Sequence, residues 1–450
     1  MMGNLSIHCQ WESAQHEPLE IRQTSAMLKI MLGEGIVTRN EDEWSRTIRD
    51  ETRLSAYPLA LWLVSSWWRL RWEPEPLPMM VPSQSWRMAH ELGASGYGYV
   101  WPRVAFASDG EMVHAWTVPS TPNSKEVVRY FPSVTHHAMA GGIFERSIDE
   151  FIAGVIARLD AVKVEHTTLH NLWKEILEER SHTTLTNHRR LEAMLGFDPD
   201  ECPDDLLQRF VELTPQAGFS AVTEMAPVCA SSDPAPVLEQ VISFASSGGF
   251  SGRIQSFHQS KVAKAGDTAP AWRRGQHLAQ QARLSLGLRE DSLSDQILCD
   301  LMGLRSQAVQ GVQMDSRPLV GIAIREGNSG GLKFLLRKRN TSGRRFELAR
   351  LYGDYLMAEE SDRWLLETDA KTARQKAQRA FAAEFLCPIN ALKNDLSGDF
   401  SQEAIDEVAG RFGVGSKAVE TQLVNNNLLP VDVLDDGHGD SYLPFFMRST

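Results

Sequence analysis

Nine of the twelve tryptophans in this chain lie at or before Trp116. Each large ring buries about 150–250 Å², so a segment this dense in indoles must close a core of its own. That requirement sets an N-terminal domain apart from the remainder. At about 150 residues per domain, the full 450 residues leave room for one or two more. The start of the chain alternates short strand-like runs with polar segments, then gives a helical stretch over 57–72. Within it, Leu59–Trp68 has about half the length that spans a bilayer, and Arg69 and Arg71 follow directly. The expectation is a buried helix and no membrane partner. Further on, Val104–Ser108 and Met112–Val118 flank Asp109-Gly110, a pair suited to the positive φ of a tight turn, which predicts a β-hairpin.

Composition narrows the function classes. Hydrophobic residues at 42% and charged residues at 23% suit a packed globular protein. A formal net charge of -12 argues against coating nucleic acid or an anionic membrane through bulk charge. Cys9, Cys202, Cys229, Cys299 and Cys387 are scattered, odd in number and without a C-x-x-C pair, which removes disulfide-framework and zinc-finger readings. The opening residues lack a basic start and apolar run of signal-peptide type. Together these features predict a cytoplasmic location.

From Ser147 the chain turns helical. Ser147 and Glu150 form a capping-box pattern, and Ile148, Phe151, Ile152, Val155 and Leu159 recur at helical spacing. Further helices are expected over 167–180, 187–195 and 204–213. Ala230–Pro236 and Lys264–Pro270 have linker composition, with one helix and a Gly/Ser-rich bend at 246–252 between them. The expected organisation is an α+β multidomain protein. It comprises an N-terminal α/β domain (1–145), a helical region (146–229), a linker with a helix (230–270), an α/β-type domain (271–430) and a tail (431–450).

The most informative stretch is Lys333 to Pro388. Lys333–Arg339 predicts a strand and Asn340–Gly343 a turn. A helix from Arg344 or Arg345 carries the stripe Leu348, Leu351, Tyr352, Tyr355 and Leu356. A second helix contains Ala377–Leu386 and stops at Cys387, because Pro388 disfavours helical geometry in the residue before it. Arg344-Arg345-Phe346-Glu347-Leu348-Ala349-Arg350-Leu351-Tyr352-Gly353-Asp354, followed by Phe381-Ala382-Ala383-Glu384-Phe385-Leu386-Cys387-Pro388, resembles the ImmA/IrrE-type metallopeptidases. Members of that family read approximately R-R-F-x-L-A-H-E-L-G-H and then F-A-A-E-L-L-M-P. The preceding Leu286–Leu304 and the following Gln402–Leu429 fit the same likeness, which covers about a third of the chain. It implies a zincin-like fold over 271–430, ending in a helix-turn-helix-like helical pair. It further implies a bacterial setting near repressors, toxin–antitoxin modules or mobile elements.

Active members bind zinc through two histidines at i and i+4, and the glutamate after the first acts as general base. Those positions here are Arg350, Leu351 and Asp354. A guanidinium has only donors and a leucine accepts no proton. Where the family supplies a glutamate ligand, the chain runs Ala373-Arg374-Gln375-Lys376, and the nearest upstream acids are Asp369 and Glu367. The expectation is a retained fold with no catalytic residue and no zinc or other cofactor. Arg350, Leu351, Asp354 and Glu384 would form a pseudo-active site. Arg350 and Asp354 can pair along the helix, they can line a remodelled pocket, or they can be ordinary surface residues.

Around them Arg337, Arg339, Arg344, Arg345, Arg374 and Lys376 read either as an anion-receiving surface or as the charged edge of a sheet. Other signals are weaker. His166 and His170 have zincin spacing without a ligand set, and His136-His137 point to opposite faces. Residues 401–427 suggest a helix–turn–helix with Ser401 and Ser416 as caps, but too acidic to favour DNA. Gly248–Gly252 and Gly327–Gly331 lack the Lys-Ser/Thr of a phosphate loop and read as flexible connections. The reading that follows is a non-catalytic regulatory module for a protein partner such as a transcriptional regulator or toxin. One alternative is a zinc endopeptidase with displaced ligands (Asp354, Glu384 and a histidine) that cleaves a repressor. The other is a nucleic-acid-binding effector using the basic segment 333–350.

Overall fold

The computed structural model describes residues 4–15, 18–42, 46–78, 80–121, 127–230, 234–247, 249–254, 269–305, 308, 319–326 and 331–430. The tail 431–450, residues 231–233 of the first linker, most of the second linker and positions 327–330 lie outside them. The fold is mixed, 53% helical and 18% strand, with several small antiparallel sheets. The described residues divide into two compact units, one built from residues up to Pro76 and Met80–Pro203, the other from residues 77–78 and those between Asp204 and Pro430.

In the first unit, strand Ser25–Leu32 pairs antiparallel with Leu5–Trp11, Gly35–Ile36 and Thr52–Ser55. Its alternating burial turns Leu28, Ile30 and Leu32 inward. Ser55 caps the apolar helix Ala56–Ser65 by accepting from the Tyr57 N–H, and helix Trp67–Trp72 continues from it. Both are buried, and no helix among the described residues is long and apolar enough to cross a membrane. Trp67 and Trp68 meet edge to face at 4.7 Å. Arginines close over these rings: Arg180 lies 4.6 Å from the Trp67 ring, and Arg71 and Arg190 lie 3.9 and 4.2 Å from Trp72.

The hairpin forms as expected, Arg103–Ser108 against Met112–Val118. Only Gly110 takes positive φ there (+95°); Asp109 instead accepts the Glu111 and Met112 N–H groups with its side chain.

The helical region from 146 is not a separate body. Its first helix spans Gly141–Ala161, seven residues earlier than the capping-box pattern suggests, with Ser147 inside it. Phe144, Ile148, Phe151, Ile152, Val155 and Leu159 fill the same core as Leu28, Ile30, Trp62 and Trp67. The unit therefore closes at Pro203 rather than near 145, because the tryptophan core needs that apolar stripe to exclude water. Helices Thr168–Ser181 and Thr183–Met194 complete it.

In the second unit the sheet runs Phe250–Arg253, Gly331–Leu335, Gly321–Glu326, Trp364–Glu367, all antiparallel. The segment expected as a Gly/Ser bend thus contributes an edge strand. The segment expected as a strand over 333–339 ends at Leu335 and lies between two others. Helix Pro234–Ser247 precedes the edge strand, so 230–270 is more than a linker.

Helix Thr341–Met357 starts three residues before Arg344, where Asn340 accepts from the Gly343 N–H. Helix Ala373–Leu386 ends before Cys387-Pro388, as the sequence requires. It packs along Ala271–Ser285 so closely that a Cβ on Gly275 would sit 2.1 Å from the Ala377 carbonyl oxygen. Phe381 and Phe385 stack in the centre at 5.2 Å, with Tyr352 edge-on to Phe381 at 5.9 Å and tilted on Phe385 at 5.5 Å. Helices Gln402–Phe412 and Ser416–Asn425 follow. Ser401 caps the first, whereas Gly415, not Ser416, is the cap of the second; Ser416 donates to Asp406 at 2.5 Å.

The boundary is testable with fragments. Residues 1–203 should unfold in one cooperative transition followed by tryptophan fluorescence, and residues 1–145, stripped of Ile148 to Leu159, should show none.

Candidate functional site

Arg350 leaves helix Thr341–Met357 only 3% exposed. It does not pair with Asp354. Its guanidinium forms an ion pair with Glu367, at the end of strand Trp364–Glu367. It also donates to the Thr368 carbonyl (2.8 Å), to Gln375 Oε1 (2.5 Å) and to Gln378 Oε1 (3.4 Å). Its Nε meets no acceptor among the described residues.

Glu367 is shared. Arg337 grips it with Nε at 2.6 Å and a terminal nitrogen at 2.7 Å, then reaches on to Asp369 at 2.5–2.6 Å. Burial opposes the Glu367 charge, but Arg350 and Arg337 hold its carboxyl below the usual range. Burial likewise draws Arg350 down to about 10 against the pull of Glu367, leaving it a cation at neutral pH.

The amides of Gln375 and Gln378 both donate to the Leu366 carbonyl at 2.9 Å. Gln375 also donates to Glu224 at 3.0 Å, and Thr372 donates to the same carboxyl at 2.6 Å. Glu224 stands on helix Phe219–Ala230, and burial raises its pKa.

Asp354, 1% exposed, receives Arg374 on both oxygens at 2.8 Å, and Arg374 reaches Asp362 at 3.2 Å. Burial opposes the Arg374 charge, yet Asp354, Glu224 and Asp362 keep its pKa above the ordinary value. The expected Arg350–Asp354 pair is thus replaced by two separate pairs. Arg374 meets both oxygens of Asp354 from the second helix, while Arg350 finds Glu367 on the strand together with the Thr368 carbonyl and Gln375.

Glu347 sits in the same seam and accepts the backbone N–H groups of Arg337 (2.7 Å) and Lys338 (3.0 Å). Gly321 makes room for it: a Cβ there would lie 2.3 Å from Glu347 and 2.9 Å from Glu367. Burial, then the Glu367 charge, raises Glu347 to about 7.

The donor set does not fit zinc. Arg350 has no lone pair to give, Leu351 is fully buried in the apolar core, and Asp354 is taken at both oxygens. Glu384 accepts from Gln280 (3.0 Å), Gln276 (3.4 Å), Gln422 (2.7 Å) and the Ile389 N–H (3.2 Å). It ties three helices to the start of a fourth. Catalytic zinc needs three ligands with free lone pairs converging on one point, and neither Asp354 nor Glu384 retains such a face.

The basic set fares similarly. Arg337, Arg344 and Arg345 are buried. Arg344 donates to the carbonyls of Ala308 and Lys338. Arg345 donates to Leu293, Phe412 and Gly413 carbonyls and pairs with Asp295, capping the helix that ends at Phe412. Arg374 is committed to Asp354 and Asp362. Arg339 alone of the six is exposed, and Lys376 is half-buried. Four of the six (Arg337, Arg344, Arg345 and Arg374) thus serve as internal crosslinks, and strand Gly331–Leu335 is interior and not a sheet edge.

The residues that complete the network (Glu224, Gln375, Gln378, Thr368, Asp362, and Glu347 as a buried acid) escaped sequence reasoning. Glu367 and Asp369 were within reach of it as the nearest acids, because a buried arginine demands a carboxylate. Glu224 had no such signal. Elsewhere, His170 bonds Thr167 (2.8 Å) and Asp160 (3.1 Å) and serves the start of its helix rather than pairing with His166. No protein-family profile, characterised protein or solved structure matches this chain.

Replacing Arg350 with methionine should cost about 3–5 kcal/mol in urea unfolding, since it strands buried acceptors. A second expectation concerns pH. Glu347 holds its proton more tightly folded than unfolded, so its contribution is complete below the ordinary carboxyl pKa and is lost as pH rises through about 7. Stability of the second unit should fall between pH 5 and 8 by on the order of 2–3 kcal/mol, and Glu347→Gln should flatten that slope.

Proposed function

We propose that the chain is a non-catalytic regulatory protein of the ImmA/IrrE type, in which the second unit is a scaffold for recognising a protein partner. The observation that carries this reading is the Arg350–Glu367 pair, which occupies the position of the first zinc-ligand histidine and joins the same helix to the sheet. In the resembled family a metal ties the two motif helices together. Here Arg350, Gln375 and Gln378 make the tie with protein groups alone.

The partner is a transcriptional regulator or toxin, the class that the resemblance implies, and the setting is cytoplasmic. Five cysteines outside any disulfide, four of them buried, suit a reducing compartment. Nucleic acid is not favoured, because most of the arginines that would receive a backbone are spent inside the fold. On the helical pair after residue 401, Arg411 and Lys417 are matched by Asp395 and Glu420.

The test pairs the full-length chain with the helix-turn-helix regulator or toxin encoded nearest its gene. Saturable binding in calorimetry, with the partner left intact over hours with or without added zinc, is expected. Zinc-dependent cleavage that Asp354→Asn or Glu384→Gln abolishes would establish the displaced-ligand peptidase instead. Binding of DNA or RNA that weakens with salt and with Arg339→Glu would favour the effector reading.

A further inference from the structure

The residues that argue against catalysis, Arg350, Leu351 and Asp354, all lie in the second unit. The first unit sets a hydroxyl, an imidazole and a carboxylate in line where helix Gly141–Ala161 gives way to helix Thr168–Ser181. Thr167 Oγ1 lies 2.8 Å from His170 Nδ1, and His170 Nε2 lies 3.1 Å from Asp160 Oδ1. A carboxylate can only accept, so His170 carries its proton on Nε2. Its Nδ1 is then the acceptor, and the bond to Thr167 runs from the hydroxyl to the ring. A hydroxyl that donates to an imidazole, itself oriented by a third group, is the arrangement that activates an alcohol as a nucleophile.

A threonine at a helix start ordinarily caps the backbone. Thr167 is the N-cap residue here, yet its side chain makes no capping bond. The Thr168, Leu169 and His170 N–H groups meet no acceptor among the described residues. In acyl-transfer sites the N–H directly after the nucleophile serves as an oxyanion donor, and the Thr168 N–H holds that place. His166, just before Thr167, is held at φ +58°, a strained conformation for a residue with a Cβ, of the kind that collects at reactive turns. Thr167 is half-buried and the His170 side chain is 19% exposed, so the pair stands at the surface and not in the core.

We propose that Thr167 is the nucleophile of an acyl-transfer site that hydrolyses carboxylic esters, with His170 as general base and Asp160 as the positioning residue that fixes the ring tautomer. Thr167 Oγ1 attacks the ester carbonyl carbon while its proton passes to His170 Nδ1. The carbonyl oxygen becomes an oxyanion, received by the free N–H groups at the helix start. As the carbonyl re-forms, the bond to the leaving oxygen breaks and the imidazolium hands that oxygen the proton. An alcohol departs and Thr167 is left acylated. Water, deprotonated by the same nitrogen, then attacks the acyl carbon, and a carboxylic acid leaves with Thr167 and His170 restored.

The test uses the full-length chain with p-nitrophenyl acetate for turnover and a fluorophosphonate, which stops at the covalent stage, for labelling. One phosphonyl group should be found on Thr167 by tandem mass spectrometry, and Thr167→Ser should keep both labelling and turnover. Thr167→Ala and His170→Gln should each lower nitrophenol release by about 10²–10⁴-fold in chains whose thermal unfolding matches the native one. Asp160→Asn should lower kcat by about tenfold or more with KM unchanged, and Asp160→Glu should recover part of the loss. Release from Thr167→Ala as fast as from the native chain, or a label that spares Thr167, overturns the site. Unchanged kcat in a folded Asp160→Asn overturns the role of Asp160.

Discussion

Arg350 is a cation with almost no contact with water, and Glu367 is the carboxylate that makes its burial tolerable. Moving either charge alone from water to the interior costs several kcal/mol, so the two have to arrive together. Their meeting fixes where helix Thr341–Met357 lies against strand Trp364–Glu367. Gln375 and Gln378 then register the second helix on the same guanidinium, and Arg337 extends the chain of charges to Asp369. Remove the pair and the seam between sheet and helices holds unmatched polar groups.

A buried ion pair is poor evidence of extra stability, because apolar replacements of equal volume often do as well. Its value here is geometric. A crosslink of fixed donors and acceptors accepts one arrangement of three elements and penalises others, which is also what a structural metal accomplishes. Arg374 with Asp354 and Asp362 forms a second such clasp, and Glu384 with its three glutamines a third. These polar side chains are thereby turned inward and matched, apart from the Arg350 Nε, which meets no acceptor among the described residues.

Much of this was legible in the sequence where the governing interaction is local. Pro388 sets the end of a helix through the geometry of the residue before it. Asp109-Gly110 marks a turn, and the Ile148–Leu159 stripe marks a helix. That Arg350 and Leu351 offer no lone pair to a metal follows from their identities alone. What failed depended on distant residues. The local i,i+4 rule joined Arg350 to Asp354, yet Asp354 takes a fork from Arg374 and Arg350 an ion pair with Glu367. Arginines that looked like a surface were drawn inward by Glu367, Asp369 and Asp295, and no periodicity announces that. Glu224 enters from more than a hundred residues upstream. The unit boundary at Pro203 was missed because an amphipathic helix does not state which core it serves.

The central claim is that Arg350 and Glu367 act as one unit. A double-mutant cycle in urea, with Arg350→Met, Glu367→Gln and the pair of substitutions together, measures it most directly. A coupling energy on the order of 2 kcal/mol or more is expected. Additive losses, with coupling indistinguishable from zero, would contradict the account.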